Sequence, residues 1–126
     1  MIRAITAENA PAASGPYSQA VRHGNLLFVS GQLGLMPATG QMVSDDAVGQ
    51  ARQALANIAA IATAAGTDIR NTVKTTIFLI DLSSFAEINE AYGAAFVPPF
   101  PARSTFEVSA LPKGGKVEIE AVIALD

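Results

Sequence analysis

Cysteine is absent from this 126-residue chain, which excludes disulfides, thiolate catalysis and cysteine–zinc centres. Histidine occurs once, at His23 in a predicted turn, so neither a histidine-based metal set nor a Ser-His-Asp triad can be drawn. No nucleotide-binding glycine pattern is present either. Charge is scarce: 15% of residues are Asp, Glu, Lys or Arg, and the net charge is −3. Without a basic cluster, surfaces for nucleic acid or anionic membranes are disfavoured. No apolar run is long enough to span a bilayer. The first residues, MIRAITAENAPAASGPY, lack the unbroken apolar core of a secretory signal, and the expectation is a soluble, cytoplasmic protein. Repeats, low-complexity tracts and linker-like charge runs are missing as well, so residues 1–126 read as a single domain.

What is plentiful is hydrophobicity, at 50% of residues with a mean hydropathy of +0.33. Small domains leave much surface exposed, so surplus apolar residues in a chain this short point to a covered subunit interface. Tyr17–Val21 and Leu26–Ser30 flank the turn signal His23-Gly24-Asn25 and predict a hairpin. Val48, Ala51, Leu55, Ile58, Ala59 and Ala62 recur at helical spacing. Asp45-Asp46 places charge at the start of that helix, and Gly66 stands where a C-terminal cap belongs. Val73–Ile80 is rich in β-branched and aromatic residues, as a strand is. Ser84 and Glu87 match a capping box, and Phe85, Ile88, Tyr92, Ala95 and Phe96 then mark a helical face that Pro98-Pro99 ends. With two closing strands and a short extra one near Ile2–Thr6, the order β-β-α-β-α-β-β predicts an α+β layer: one sheet, two helices on one face. The other face must meet water or another subunit.

The last two strands carry the chemistry. In Arg103–Ala110, Arg103, Thr105, Glu107 and Ser109 share one face; Ser104, Phe106, Val108 and Ala110 share the other. In Val117–Leu125, Val117, Ile119, Ala121, Ile123 and Leu125 alternate with Glu118, Glu120, Val122 and Ala124. The second set begins charged and ends apolar, which predicts a central strand covered on both sides with its carboxylates at one end. A hairpin turning near Pro112–Gly115 would leave Glu118 opposite Ser109, six residues from Arg103 at about 3.4 Å each. Either the two strands are not neighbours, or the two groups meet across a subunit boundary. Lys113-Gly114-Gly115-Lys116 has the glycine content of a phosphate nest but no following helix, so it reads as a flexible loop.

Several ordered pieces add to this: Asn9-Ala10-Pro11, Gly15-Pro16-Tyr17-Ser18-Gln19-Ala20, Ser30-Gly31-Gln32, and Asp81-Leu82 with Phe85 and Asn89. Pro101-Ala102-Arg103-Ser104, Leu111-Pro112-Lys113 and Val117-Glu118-Ile119-Glu120 follow. Along nearly its whole length the chain resembles the Rid (YjgF) family of reactive-intermediate deaminases. The resemblance implies a chorismate-mutase-like (bacillus-type) α+β subunit with one mixed sheet, assembled as a homotrimer with three clefts between subunits. It implies hydrolysis of 2-imino acids, such as 2-iminobutanoate and 2-iminopropanoate, to 2-oxo acids and ammonia. These imines arise from enamines such as 2-aminoacrylate. Neither a cofactor nor a metal is expected, and neither nucleic acid nor membrane is an expected partner.

Within that frame Arg103 is expected to grip the substrate carboxylate with its planar fork, and Glu118 to orient water and accept its proton. Ser30 and Gly31 are expected to bond the substrate through the backbone, with Tyr17 walling the pocket and Asn89 as a further contact. Many relatives carry cysteine where this chain has Thr105, which is expected to line the pocket without acting as a nucleophile. Competing expectations are a non-catalytic trimer that binds 2-oxo acids and a specialised role such as pyrimidine breakdown. In the latter, Thr105 and Leu33-Gly34-Leu35-Met36 would reshape the pocket. Ribonuclease activity is disfavoured by the −3 charge, the single histidine and the lack of a basic stripe.

Overall fold

In the computed structural model, which describes residues 1–126, six strands form one mixed sheet and two helices pack on one of its faces. β1 (Arg3–Ile5), β2 (Ala20–His23) and β3 (Leu26–Leu33) come first, followed by α1 (Ala47–Ala64) and β4 (Thr72–Leu79). Then come α2 (Phe85–Gly93), β5 (Ala102–Glu107) and β6 (Val117–Ala124). Across the sheet the order is β1-β2-β3-β6-β4-β5, and only the β4–β5 pair is parallel. The last strand of the chain is therefore inserted between β3 and β4, and β5 is an edge.

The core lies between this sheet and α1. Val117, Ile119, Ala121 and Ile123 of β6 and Ile77 and Leu79 of β4 face Ala51, Ala54, Leu55, Ile58, Ile61 and Ala62, all buried. Each fully buried Leu or Ile contributes about 1.5–3 kcal/mol. Asp46 caps α1, its Oδ2 accepting from the Gly49 N–H at 2.8 Å. Two polar residues on the same helix are buried because they serve the backbone. Asn57 Nδ2 donates to the carbonyls of Leu33 (3.2 Å) and Leu35 (3.0 Å) where β3 leaves the sheet. Gln50 Oε1 accepts from the Lys116 N–H at 2.8 Å. Here helix and strand touch backbone to backbone, since a Cβ on Gly34 would lie 2.5 Å from Gln50 Cα.

Several boundaries differ from the sequence pattern for physical reasons. β2 starts at Ala20, not Tyr17, because the buried Gln19 side chain binds Ala7, Ala10 and Pro11 backbone and holds the preceding segment off the ladder. The capping box does not form. A 3-10 turn, Leu82–Ser84, runs straight into α2, so Ser84 has ψ 0° and no side-chain cap bond; Asp81 caps that turn instead. α2 stops at Gly93, yet Phe96 stays buried with its ring 4.8 Å from that of Tyr92. β5 ends at Glu107 because its one neighbour, β4, ends at Leu79. The Lys113–Lys116 stretch is no loose loop: Pro112–Gly114 is a 3-10 turn with Lys113 at φ 58°.

β6 is central, as its pattern required, but within one chain only its helix side is covered. The other side of the sheet is open and carries Phe28, Phe78, Phe106 and Val122 beside Glu118 and Glu120, with Phe28 45% and Phe106 52% exposed. Phe78 and Phe106 stack there at 6.3 Å.

Candidate active site

Arg103 lies on edge strand β5 opposite Thr75 of β4, which in turn pairs with Ala121 of β6. Thr75 and Ala121 are buried beneath the helices, so Arg103 points to the helix side. Its guanidinium carbon sits 4.9 Å from the Tyr92 ring centre and 5.3 Å from that of Phe85. Nη1 donates to Asn89 Oδ1 at 2.7 Å. Burial pushes the Tyr92 phenol up from its ordinary range, and its oxygen is 2.6 Å from Thr75 Oγ1. No carboxylate reaches Arg103, since the chain's one ion pair is Arg70–Asp68. A half-buried cation without a counter-charge is unfavourable by itself and favours an incoming anion. Thr105, two residues along on the same face, is half-buried beside it.

Glu118 belongs to the opposite face. It precedes Ala121 by three residues on β6, and an odd offset on a strand reverses the side. It opens into a cleft of about 780 Å³ together with Tyr17, Ser30, Gly31, Lys113 and Glu120. Burial first, and the like charge of Glu120 second, raise the Glu118 carboxyl above the usual range. The ladder shifts here: Ser30 and Gly31 together face Glu120, between the pairs Val29–Ala121 and Gln32–Ile119. The bulge presses Gly31 against Glu118, so that a Cβ on Gly31 would stand 2.8 Å from Glu118 Cδ and 2.9 Å from Oε2. The close approach this glycine permits is thus to the carboxylate within the chain. Ser30 is committed internally, its hydroxyl donating to Ser18 O at 2.6 Å and its N–H to Gln19 O at 3.0 Å. Tyr17 is half exposed, and the Ser14 N–H donates to its hydroxyl at 3.3 Å. Hydrogen bonding from Ser14, with Lys113 nearby, lowers the Tyr17 pKa.

The expected residues thus fall into two groups. Tyr17, Ser30, Gly31 and Glu118 gather at the cleft; Arg103, Asn89 and Thr105 gather on the helix side of the edge strand.

Residues 7–125 match the family described as Endoribonuclease L-PSP. The chain is 51% identical over 120 residues to 2-iminobutanoate/2-iminopropanoate deaminase of Capra hircus, covering 95% of this chain and 88% of that one. The chain belongs to the Rid (YjgF) family. Another relative, RutC family protein y4sK of Sinorhizobium fredii, is 60% identical over 125 residues, 99% of each chain. The crystal structure of RidA from Psychrobacter superposes with a TM-score of 0.93 at 46% identity, covering 97% of this chain and 98% of that one.

Phe85, Tyr92, Gln19, Lys113 and Glu120 were not among the expected site residues, yet each touches one of these two groups or the segment beside it. For α2 a signal existed. Phe85, Asn89 and Tyr92, at i, i+4 and i+7, form one stripe, and a polar Asn inside an aromatic stripe marks a contact other than core.

Proposed function

We propose that this Rid-family protein is a homotrimeric hydrolase converting 2-imino acids, with 2-iminopropanoate and 2-iminobutanoate as the type substrates, to 2-oxo acids and ammonia. The observation that carries this is the split site. An uncompensated guanidinium is braced on one face of the edge strand, while the cleft carboxylate opens on the other face. The two halves cannot meet within one chain, so a complete site takes Arg103 from one copy and Glu118 from the next. The open sheet face, with Phe28, Phe78 and Phe106, is apolar surface suited to burial between copies.

The chemistry follows from the two groups. Arg103 holds the planar carboxylate by charge-assisted hydrogen bonds, each worth about 1.5–3 kcal/mol, and draws electron density from the adjacent C=N carbon. Water attacks that carbon while Glu118 accepts its proton. Attack on the protonated imine leaves a neutral amine on a tetrahedral carbinolamine. Glu118 returns its proton to that nitrogen, the C–N bond breaks as the carbonyl forms, and the hydroxyl proton departs with ammonia as ammonium, restoring the carboxylate. A raised carboxyl pKa makes Glu118 a stronger base than an exposed glutamate. One positioned proton acceptor gives about 10²–10⁴-fold, enough for an electrophile as reactive as a protonated imine. Tyr17 and Thr105 complete the walls, and Gly31 keeps Glu118 in place. RNA cleavage draws no support from the side chains. The net charge is −3, and the single histidine, His23, is exposed at the end of β2 and does not line the cleft.

The test is a coupled assay in which a pyridoxal-phosphate dehydratase generates 2-aminoacrylate and loss of the imine is followed with and without this protein. Acceleration that disappears in Arg103→Ala supports the proposal. An Arg103→Ala protein with the full rate removes the arginine from the mechanism. Binding of 2-oxo acids without any acceleration identifies a ligand-binding trimer instead.

A further inference from the structure

We infer that α2 is an arginine clamp in which Asn89 is a positioning residue. Its contact is with Arg103, and through Arg103 it keeps one edge of the guanidinium fork free for a substrate carboxylate. The inference rests on the proposed function for the identity of that anion, and goes beyond it in saying how α2 sets carboxylate selectivity.

Three residues on one stripe of α2 restrain the guanidinium. Phe85 and Tyr92 place their rings 5.3 and 4.9 Å from Cζ, and Asn89 Oδ1 takes Nη1 at 2.7 Å. Tyr92 is itself tied down through Thr75 on β4, the strand neighbour of Arg103. Sheet and helix therefore hold the same group from two directions. Rings satisfy a cation without using its N–H donors. The one donor taken goes to a neutral amide, so the positive charge is not cancelled and the other donors remain for a ligand. An Asp at residue 89 would have nearly the same size and could accept the same hydrogen bond, but it would neutralise the cation. The choice of Asn over Asp is thus the point at which a clamp differs from a structural ion pair.

This makes an unusual ordering testable. If Asn89 only fills space, the near-isosteric Asn89→Asp is milder than Asn89→Ala. If it is a clamp that must leave the charge free, Asn89→Asp is the worse of the two for anion binding while the fold remains intact. The experiment is calorimetric titration of the assembled protein with 2-oxobutanoate, alongside thermal unfolding, for wild type, Asn89→Ala, Asn89→Asp and Arg103→Ala. The expected result is binding weaker by about tenfold in Asn89→Ala and by about a hundredfold or more in Asn89→Asp, which approaches Arg103→Ala. Asn89→Asp should unfold at or above the temperature of Asn89→Ala, so stability and affinity rank in opposite order. Arg103-dependent binding in the wild type with Asn89→Asp equal to or tighter than Asn89→Ala overturns the clamp alone. Wild-type protein that does not bind 2-oxobutanoate, or binds it independently of Arg103, overturns the assignment of the anion and the clamp with it.

Discussion

Gly31→Ala is the smallest change that reports on whether the Glu118 carboxylate works where the structure puts it. The added Cβ would stand 2.8 Å from Glu118 Cδ, 2.9 Å from Oε2 and 3.1 Å from Cγ. Carbon–carbon contacts settle at about 3.5–4.0 Å, so the carboxylate must retreat by about 0.7–1.2 Å. The atoms displaced are the far end of a side chain, and Gly31 is not among the residues with positive φ, so the backbone can stay. Alanine also narrows the unfolded ensemble by about 0.4–1 kcal/mol, which offsets part of the contact strain. Folding stability should therefore stay within about 1 kcal/mol of wild type. A misplacement of about 1 Å in a catalytic group costs about 10²-fold in rate. Arg103, which lies on the other face of the sheet, is untouched, so in the proposed mechanism the loss should fall on kcat with KM little changed. The assay is steady-state imine hydrolysis paired with urea unfolding. An alanine variant with wild-type kcat would refute the role of Glu118; a variant that loses several kcal/mol of stability would show the backbone, not the carboxylate, yielding.

Three further outcomes are expected. Arg103→Ala and Glu118→Ala should each be inactive alone, but mixed oligomers refolded from equal amounts should recover about a quarter of wild-type activity. In them a quarter of intersubunit clefts pair an intact arginine with an intact glutamate; no recovery would place both groups in one subunit's site. Glu120→Gln removes the like charge that helps raise the Glu118 carboxyl. In the proposed mechanism Glu118 acts as a base when ionised, so activity should fall as pH drops through its raised pKa, and the variant's acid limb of kcat/KM should move to lower pH; an unmoved limb would assign it to another group. Gly34→Ala drives a Cβ to 2.5 Å from Gln50 Cα and 2.7 Å from its carbonyl oxygen, and neither is free to swing away. It should lower stability by about 1–3 kcal/mol or more by urea unfolding, and an unchanged midpoint would contradict the close packing of β3 on α1.

The elements themselves were legible in the chain because they are local. The 3.6-residue rhythm from Val48 to Ala62 and the alternation from Val117 to Leu125 record which side of each element is buried, and the structure places α1 over the first and β6 over the second, ending one residue earlier at Ala124. Boundaries shifted where a tertiary contact outweighed a local signal. Gln19 held the chain off the ladder ahead of Ala20, and a 3-10 turn replaced the capping box at Ser84. The buried polar pair on α1 could not be foreseen, since Gln50 and Asn57 are buried only because irregular backbone near Lys116 and beyond Leu33 needs partners.

The alternation in the last two strands already separated Arg103 from Ser104 and Glu118 from Ile119, and the ordered motifs identified the family. Which faces those residues share was decided only by strand order. β6 enters between β3 and β4, and β5 is left at the edge as the parallel neighbour of β4. That pairing joins residues far apart in sequence, and local pattern carries no information about which strands become neighbours. It sends Arg103 to the helices and Glu118 to the open face, so the chemistry each residue type offers is written in the chain, while their separation onto two faces is a property of the fold.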